Sequence, residues 1–281
     1  MNVSLTEDMP EKRHDIDYAS LEHVFEISSL DVNEFLRVMK EQLSLDVGVL
    51  RKDLLVAGQS CDVYLRLSHF YQEQLQDFHL RLKDVHCDAQ SVAQWIHILE
   101  IGDKTNNLVG YLMLLQIDVI KALINLLEAN TDVERLVTCK HVYTIIHDLK
   151  VQGLFTVIAR SIKEIPEEIL TEEYKTELLK GMKNVNKHLI SEKDAKSVRN
   201  HIDAHKSSSF AEQISAYRKC DFAHSLISMY AIKHLIDIIQ EAVQVARNNI
   251  IELSNKYVAD QHERIAVYQE MLDSLDVGLS N

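Results

Sequence analysis

The segment NLVGYLMLLQIDVIKALINLLEA, residues 107–129, decides the fold class of this 281-residue chain. It is apolar on nearly every side of a helical wheel, and such a helix has to be surrounded by other elements. It therefore predicts the central helix of a bundle. The charge-free run here, residues 105–117, is short for a bilayer span, and Asp118 and Lys121 follow it.

Composition agrees with that reading. The chain has seven glycines and two prolines, where average usage gives roughly 20 and 14. A β-sandwich or barrel needs turn residues throughout. A Rossmann or P-loop domain needs glycine where phosphate meets backbone. Neither can be built from this chain. The expected fold class is all-α: a bundle of long helices, with a long C-terminal helix.

Helix signals flank the central segment on both sides. Asp31 and Glu34 make a capping-box-like start. From there Phe35, Leu36, Val38, Met39, Leu43, Val47, Leu50 and Leu54 recur at helical spacing up to Gly58. Ser60 is read as the cap of the next helix, to about residue 82. Another helix, residues 89–101, carries the lone Trp95 and is expected to stop at Gly102 in the C′ position. Thr131 with Glu134 starts a helix to about Lys150, and Pro166 ends the one that follows. Residues 171–190 and 191–205 open with good N-caps. From about residue 211 the helical pattern runs to 275, with a bend near Asn255. Residues 1–15 read as a loose tail and 16–27 as a short helix. The division expected is a tail at 1–15, an N-terminal helical region at 16–102 packed on the core, and a bundle at 103–281.

The chain carries 43 acidic and 30 basic residues, a formal charge of −13. Its four cysteines, Cys61, Cys87, Cys139 and Cys220, are scattered without a CxxC pair, which fits a reducing compartment. The polar first 15 residues lack the basic start and apolar run of a signal peptide. The expected setting is soluble and cytoplasmic, with no membrane partner.

No Gly-rich phosphate loop, HExxH helix, EF-hand loop or nucleophile elbow occurs. Histidine is abundant, at 14. His141 and His147 lie about 120° apart on one helix and cannot share a ligand face. His69 and His79 read as structural. One segment concentrates chemistry: Lys196-Ser197-Val198-Arg199-Asn200-His201-Ile202-Asp203-Ala204-His205-Lys206. Arg supplies a permanent cation with a fork of donors suited to phosphate. His moves protons near neutral pH, and Asn can orient either one. His201 and His205, four apart, can face one ligand.

Four Arg–His pairs here have four or five residues between them: Arg81–His86, Arg135–His141, Arg199–His205 and Arg218–His224. Only Arg199 is followed by Asn. The stretch Arg199-Asn200-x4-His205 resembles the signature of the HEPN domains. That resemblance implies an all-helical, dimeric protein. It also implies a metal-independent endoribonuclease of the kind found in toxin–antitoxin, abortive-infection and antiviral systems, or a relative that has lost catalysis. Its catalytic residues would be Arg199, Asn200 and His205, with no cofactor and a 2′,3′-cyclic phosphate product.

Local charge supports an RNA partner. Residues 174–206 hold eight Lys/Arg and four acids, so this window is +4 in a chain of −13. Lys187, Lys193, Lys196, Lys206 and His201 are the expected substrate-binding residues, holding an RNA backbone that the rest of the chain repels. Nothing points to DNA specificity. Two other readings stay open. In the first, Arg199 serves only in an ion pair with Asp203, in a non-catalytic helical interaction or dimerisation module that binds a protein partner or antitoxin. Alternatively, His201, Asp203 and His205 supply part of a metal site whose remaining ligands the sequence does not show.

Overall fold

The computed structural model describes residues 32–42, 45–83, 88–202 and 219–279; at 32, 33, 35, 42, 201, 202 and 263–279 it describes the helical backbone only. Among the described residues there are helices and no strands, so the all-α expectation holds. In chain order they are α1 (Val32–Gln42), α2 (Val47–Arg81), α3 (Ala89–Glu128), α4 (Asp132–Lys150), α5 (Leu154–Glu164), α6 (Glu172–His188), α7 (Glu192–Ile202) and α8 (Phe222–Leu279). The expected tail and first short helix lie outside the described residues.

Three long helices carry the architecture. α2 and α3 pair antiparallel: Arg51 bonds Glu128 at 2.7 Å, Asn106 Nδ2 donates to the Tyr64 carbonyl at 3.0 Å, and Phe78 stacks on Trp95. On α2 the contact seam is Leu50, Leu54, Ala57, Cys61, Tyr64, Tyr71, Leu75 and Phe78. These recur at three- and four-residue steps, with one step of seven from Tyr64 to Tyr71, which keeps one helix face against another. α8 lies antiparallel to α3, with Gln240 bonded to Gln116 at 2.9 Å and the Tyr257 hydroxyl donating to the Ser91 carbonyl at 3.0 Å. Arg247 of α8 reaches the Tyr64 hydroxyl at 3.1 Å and closes the group.

The central-helix expectation is met. Leu112, Val119, Ile120, Ala122, Leu123 and Leu126 of α3 are fully buried in the core. By length and composition α3, and α8 over Phe222–His262, are apolar enough to cross a membrane once a window with a few charges is allowed. The shorter charge-free run falls below that length. In both windows 56% of the residues are buried inside the fold, as in the core helices of a bundle.

Three boundaries differ from the local reading. Gly102 does not stop a helix: α3 runs through it, and the division expected between residues 102 and 103 falls inside that helix. The glycine serves packing instead, because a Cβ there would sit 2.6 Å from Tyr71 Cε1. Likewise α2 runs through Gly58 and Ser60, so Ser60 caps nothing. The break falls earlier, where Asp46 accepts from the Val49 N–H at 2.9 Å and starts α2. The third is near the C-terminus. Lys219–Asp221 are non-helical, and Asp221 caps α8 by accepting from the His224 N–H at 2.8 Å. From there α8 continues as one helix through Asn255.

Several other capping signals hold, while Asp31, read as part of the first helix start, lies outside the described residues. Thr131 and Glu134 form a full capping box at α4. Gly153, at φ +80°, makes the left-handed turn into α5 that a residue with a Cβ rarely adopts. Thr171 caps α6 through the Tyr174 N–H, and Ser191 caps α7 through the Asp194 N–H.

Candidate functional site

The setting of Arg199 is built by two helices. α7 presses Ala195 and Val198 into the core. That fixes the next residue, Arg199, at the edge of the buried face, with its side chain 31% exposed. Across from it stands the last turn of α4, a helix anchored in the core by the fully buried Val142, Ile146 and Leu149. Arg199 Nη1 donates to Asp148 Oδ1 in a short ion pair and to His147 Nδ1 at 3.0 Å.

The His147 ring also comes within 3.3 Å of Asp148 through the same Nδ1. Both contacts cannot be hydrogen bonds from one nitrogen in one state. A guanidinium has only donors, and its contact is the shorter one. Nδ1 therefore accepts from Arg199, and the ring proton is on Nε2. His147 is buried while His141 is exposed, as their separation around the helix requires.

Neighbouring contacts hold the frame still. Lys150 Nζ donates to the Leu189 carbonyl at 3.4 Å, and His224 Nε2 donates to the His188 carbonyl at 3.0 Å. The C-terminal carbonyls of α6 are thus capped by α4 and α8 side chains. Burial pulls the Lys150 ammonium below its ordinary pKa, with Glu192 acting in the opposite direction. The Ile190 N–H donates to the buried Ser228 hydroxyl at 3.4 Å.

On the far side, Tyr143 holds the entry to α8. Its hydroxyl donates to the Lys219 carbonyl at 3.2 Å and accepts from the Asp221 N–H at 3.1 Å. Burial raises the Tyr143 phenol well above its usual pKa. Burial also pushes the Cys139 thiol up to about 11 and the Cys220 thiol up to about 12. Neither is in a disulfide, nor is Cys61.

Of the residues singled out from sequence, Arg199 is half-buried and bonded as described, and Asn200 beside it is exposed. Lys187, Lys193 and Lys196 are all exposed. The His201 side chain, and His205 and Lys206 altogether, lie outside the described residues. So does Asp203, the ion-pair partner considered for Arg199; the partner described is Asp148. His147 and Asp148 are not legible as its partners from local sequence, because they lie on another helix. The one signal available was their place in the last turn of a strongly capped helix.

Among the described residues no group of three His, Cys, Asp or Glu side chains comes together to hold a metal. An open cleft of about 520 Å³ lies elsewhere, between the start of α3 and α8, with His97 paired to Glu168 at its rim. It includes no residue of α4 or α7. Compared with protein-family models, curated proteins and solved structures, the chain has no match.

Proposed function

We propose that this chain is a HEPN-like, metal-independent endoribonuclease acting through Arg199, Asn200 and His205. The observation that carries the reading is the fixed setting of Arg199. Asp148 and His147 engage one terminal nitrogen of a group that has five N–H donors in a rigid fork. The other donors belong to nitrogens that these two contacts do not use. A pre-positioned cation of this kind stabilises charge that develops on a phosphate.

In this mechanism His205 takes the proton from a ribose 2′-hydroxyl. The 2′-oxygen attacks the adjacent phosphorus, and the bond from phosphorus to the 5′-oxygen breaks. The imidazolium returns a proton to the leaving 5′-oxygen. The products are a 2′,3′-cyclic phosphate and a 5′-hydroxyl. Arg199 neutralises the non-bridging oxygens, Asn200 orients the pair, and His147 and Asp148 are positioning residues. A homodimer would place two such motifs in one cleft. An RNase of this type suits a cytoplasmic toxin or antiviral-defence role, restrained by an antitoxin or other protein partner.

The test is purified full-length chain on a mixed RNA pool in chelator, with product ends mapped. Cleavage leaving cyclic phosphate ends, abolished by Arg199→Ala and by His205→Ala, supports the reading. Cleavage that survives both substitutions overturns it.

A second reading, a non-catalytic helical interaction module, is favoured by a different observation. Val49, Val56, Val63 and Phe70 stand exposed along α2 at seven-residue intervals. That spacing suits a helix laid alongside, here one from a second copy of the chain. In this reading Arg199 only clamps α7 to α4. A chain that never cleaves RNA, and whose oligomeric state is lost in Val56→Asp/Val63→Asp, would establish it.

A further inference from the structure

α6 carries an unexpected arrangement of charge. Lys180, Lys183 and Lys187 are all exposed and spaced i, i+3, i+7, so they line one helix face over about 10 Å. α7 repeats the pattern with Lys193, Lys196 and Asn200, all exposed, and Arg199 lies next to the last of them. Residues 180–200 hold six cations and two acids in a chain of −13.

The acids nearby do not neutralise this face. Glu177 and Lys180 have the spacing of a helical ion pair, yet none forms between them among the described residues. Among the described residues the lysine of α6 with an ion pair is Lys175, which is buried and bonded to Glu172 at 2.5 Å. The face has no exposed apolar residue beside its lysines, which removes the wedge that a membrane-surface helix needs. It has no aromatic residue for bases to stack on. What remains is a row of flexible cations, suited to a charged backbone and indifferent to sequence.

We infer that the exposed lysines of α6 and α7 form a track for the backbone of single-stranded RNA, with Lys180 and Lys183 as phosphate contacts outside the Arg199–His205 motif. The inference rests on the RNA-cleaving reading and deepens it. It adds two binding residues that the motif does not contain, and it assigns sequence-independent affinity to them.

The experiment measures binding of a fluorescein-labelled 12-nucleotide oligouridylate by anisotropy across a salt series, alongside cleavage kinetics. The proteins are the full-length chain, Lys180→Gln/Lys183→Gln, and Lys52→Gln/Lys121→Gln as a control at exposed lysines elsewhere. Removing two phosphate contacts should lower the slope of log affinity against log salt by about 1.4. It should also raise KM severalfold with kcat unchanged, while the control matches wild type. If the α6 variant keeps the wild-type slope and KM while RNA is still cleaved, the track is wrong and the nuclease reading stands. If the slope depends on these lysines but no RNA is ever cut, the track stands and the nuclease reading falls. A wild-type chain that neither binds nor cuts overturns both.

Discussion

Arg199 Nη1 donates to His147 Nδ1 at 3.0 Å, joining two residues that are 52 positions apart in the chain. With Asp148 accepting from the same nitrogen, this contact ties α7 to the last turn of α4. It makes two substitutions unequal. Asp148→Asn removes a partly exposed ion pair and should cost less than about 1 kcal/mol. Arg199→Ala also leaves the buried His147 nitrogen without its donor and should cost about 1–2 kcal/mol. Denaturant midpoints at neutral pH check the order. Equal losses would mean that His147 is satisfied some other way.

If the proposed nuclease reading holds, the cleavage rate should respond to Asp148→Asn without the complete loss expected for Arg199→Ala. In that reading a positioning carboxylate changes where the guanidinium sits, whereas the arginine itself would face the phosphate. The readout is kcat on a fixed RNA substrate, with Arg199→Lys included. A lysine keeps the charge but not the fork, so it should not restore wild-type activity.

Gly102→Ala puts a methyl group 2.6 Å from the Tyr71 ring. Helix propensity alone favours alanine by about 1 kcal/mol, while overpacking costs about 1–3 kcal/mol. The net expectation is destabilisation by about 1 kcal/mol. In a Tyr71→Leu background the same change should become neutral or stabilising. Thermal unfolding of the four-member cycle measures the coupling.

Tyr143→Phe removes the hydroxyl that bridges the Lys219 carbonyl and the Asp221 N–H. The expected loss is about 1–2 kcal/mol. Hydrogen exchange should speed up selectively at the first turn of α8, which this bridge anchors. A uniform increase along α8 would instead indicate global destabilisation.

Cys139 and Cys220 should resist thiol reagents in the native chain at pH 8, because burial holds their pKa values at about 11 and about 12 and the thiolate is the reactive form. Stability follows with a definite sign. In the unfolded chain both thiols ionise near their ordinary value of 9.0, so above that pH the unfolded state gains and the folded state does not. Stability should therefore fall as pH rises from about 9 toward 11, and Cys139→Ser/Cys220→Ser should flatten that fall. Chemical denaturation across this range is the measurement.

The local elements that the sequence specified share one property: their causes lie within a few residues. The Thr131–Glu134 capping box, Pro166 after α5 and the caps at Thr171 and Ser191 each involve neighbours in the chain. The fully buried centre of α3 was legible for a related reason, since a segment apolar on all sides has no solvent-facing option. Gly102, Gly58 and Ser60 misled because each has the local signature of a helix end. At Gly102 the glycine instead answers to Tyr71 in another helix.

The sequence by itself therefore determined the class of fold, the central helix, most helix starts and the motif around Arg199. It also set the charge imbalance that concentrates cations on α6 and α7. Tertiary structure decided that α2 and α3 run unbroken, that Asp148 and His147 hold Arg199, and that Lys180 and Lys183 share an exposed face with Lys187. The physical reason is range. Capping and periodicity are satisfied within one or two helical turns, whereas a buried ring, an ion pair between helices and the accessibility of a lysine depend on which elements the fold brings together.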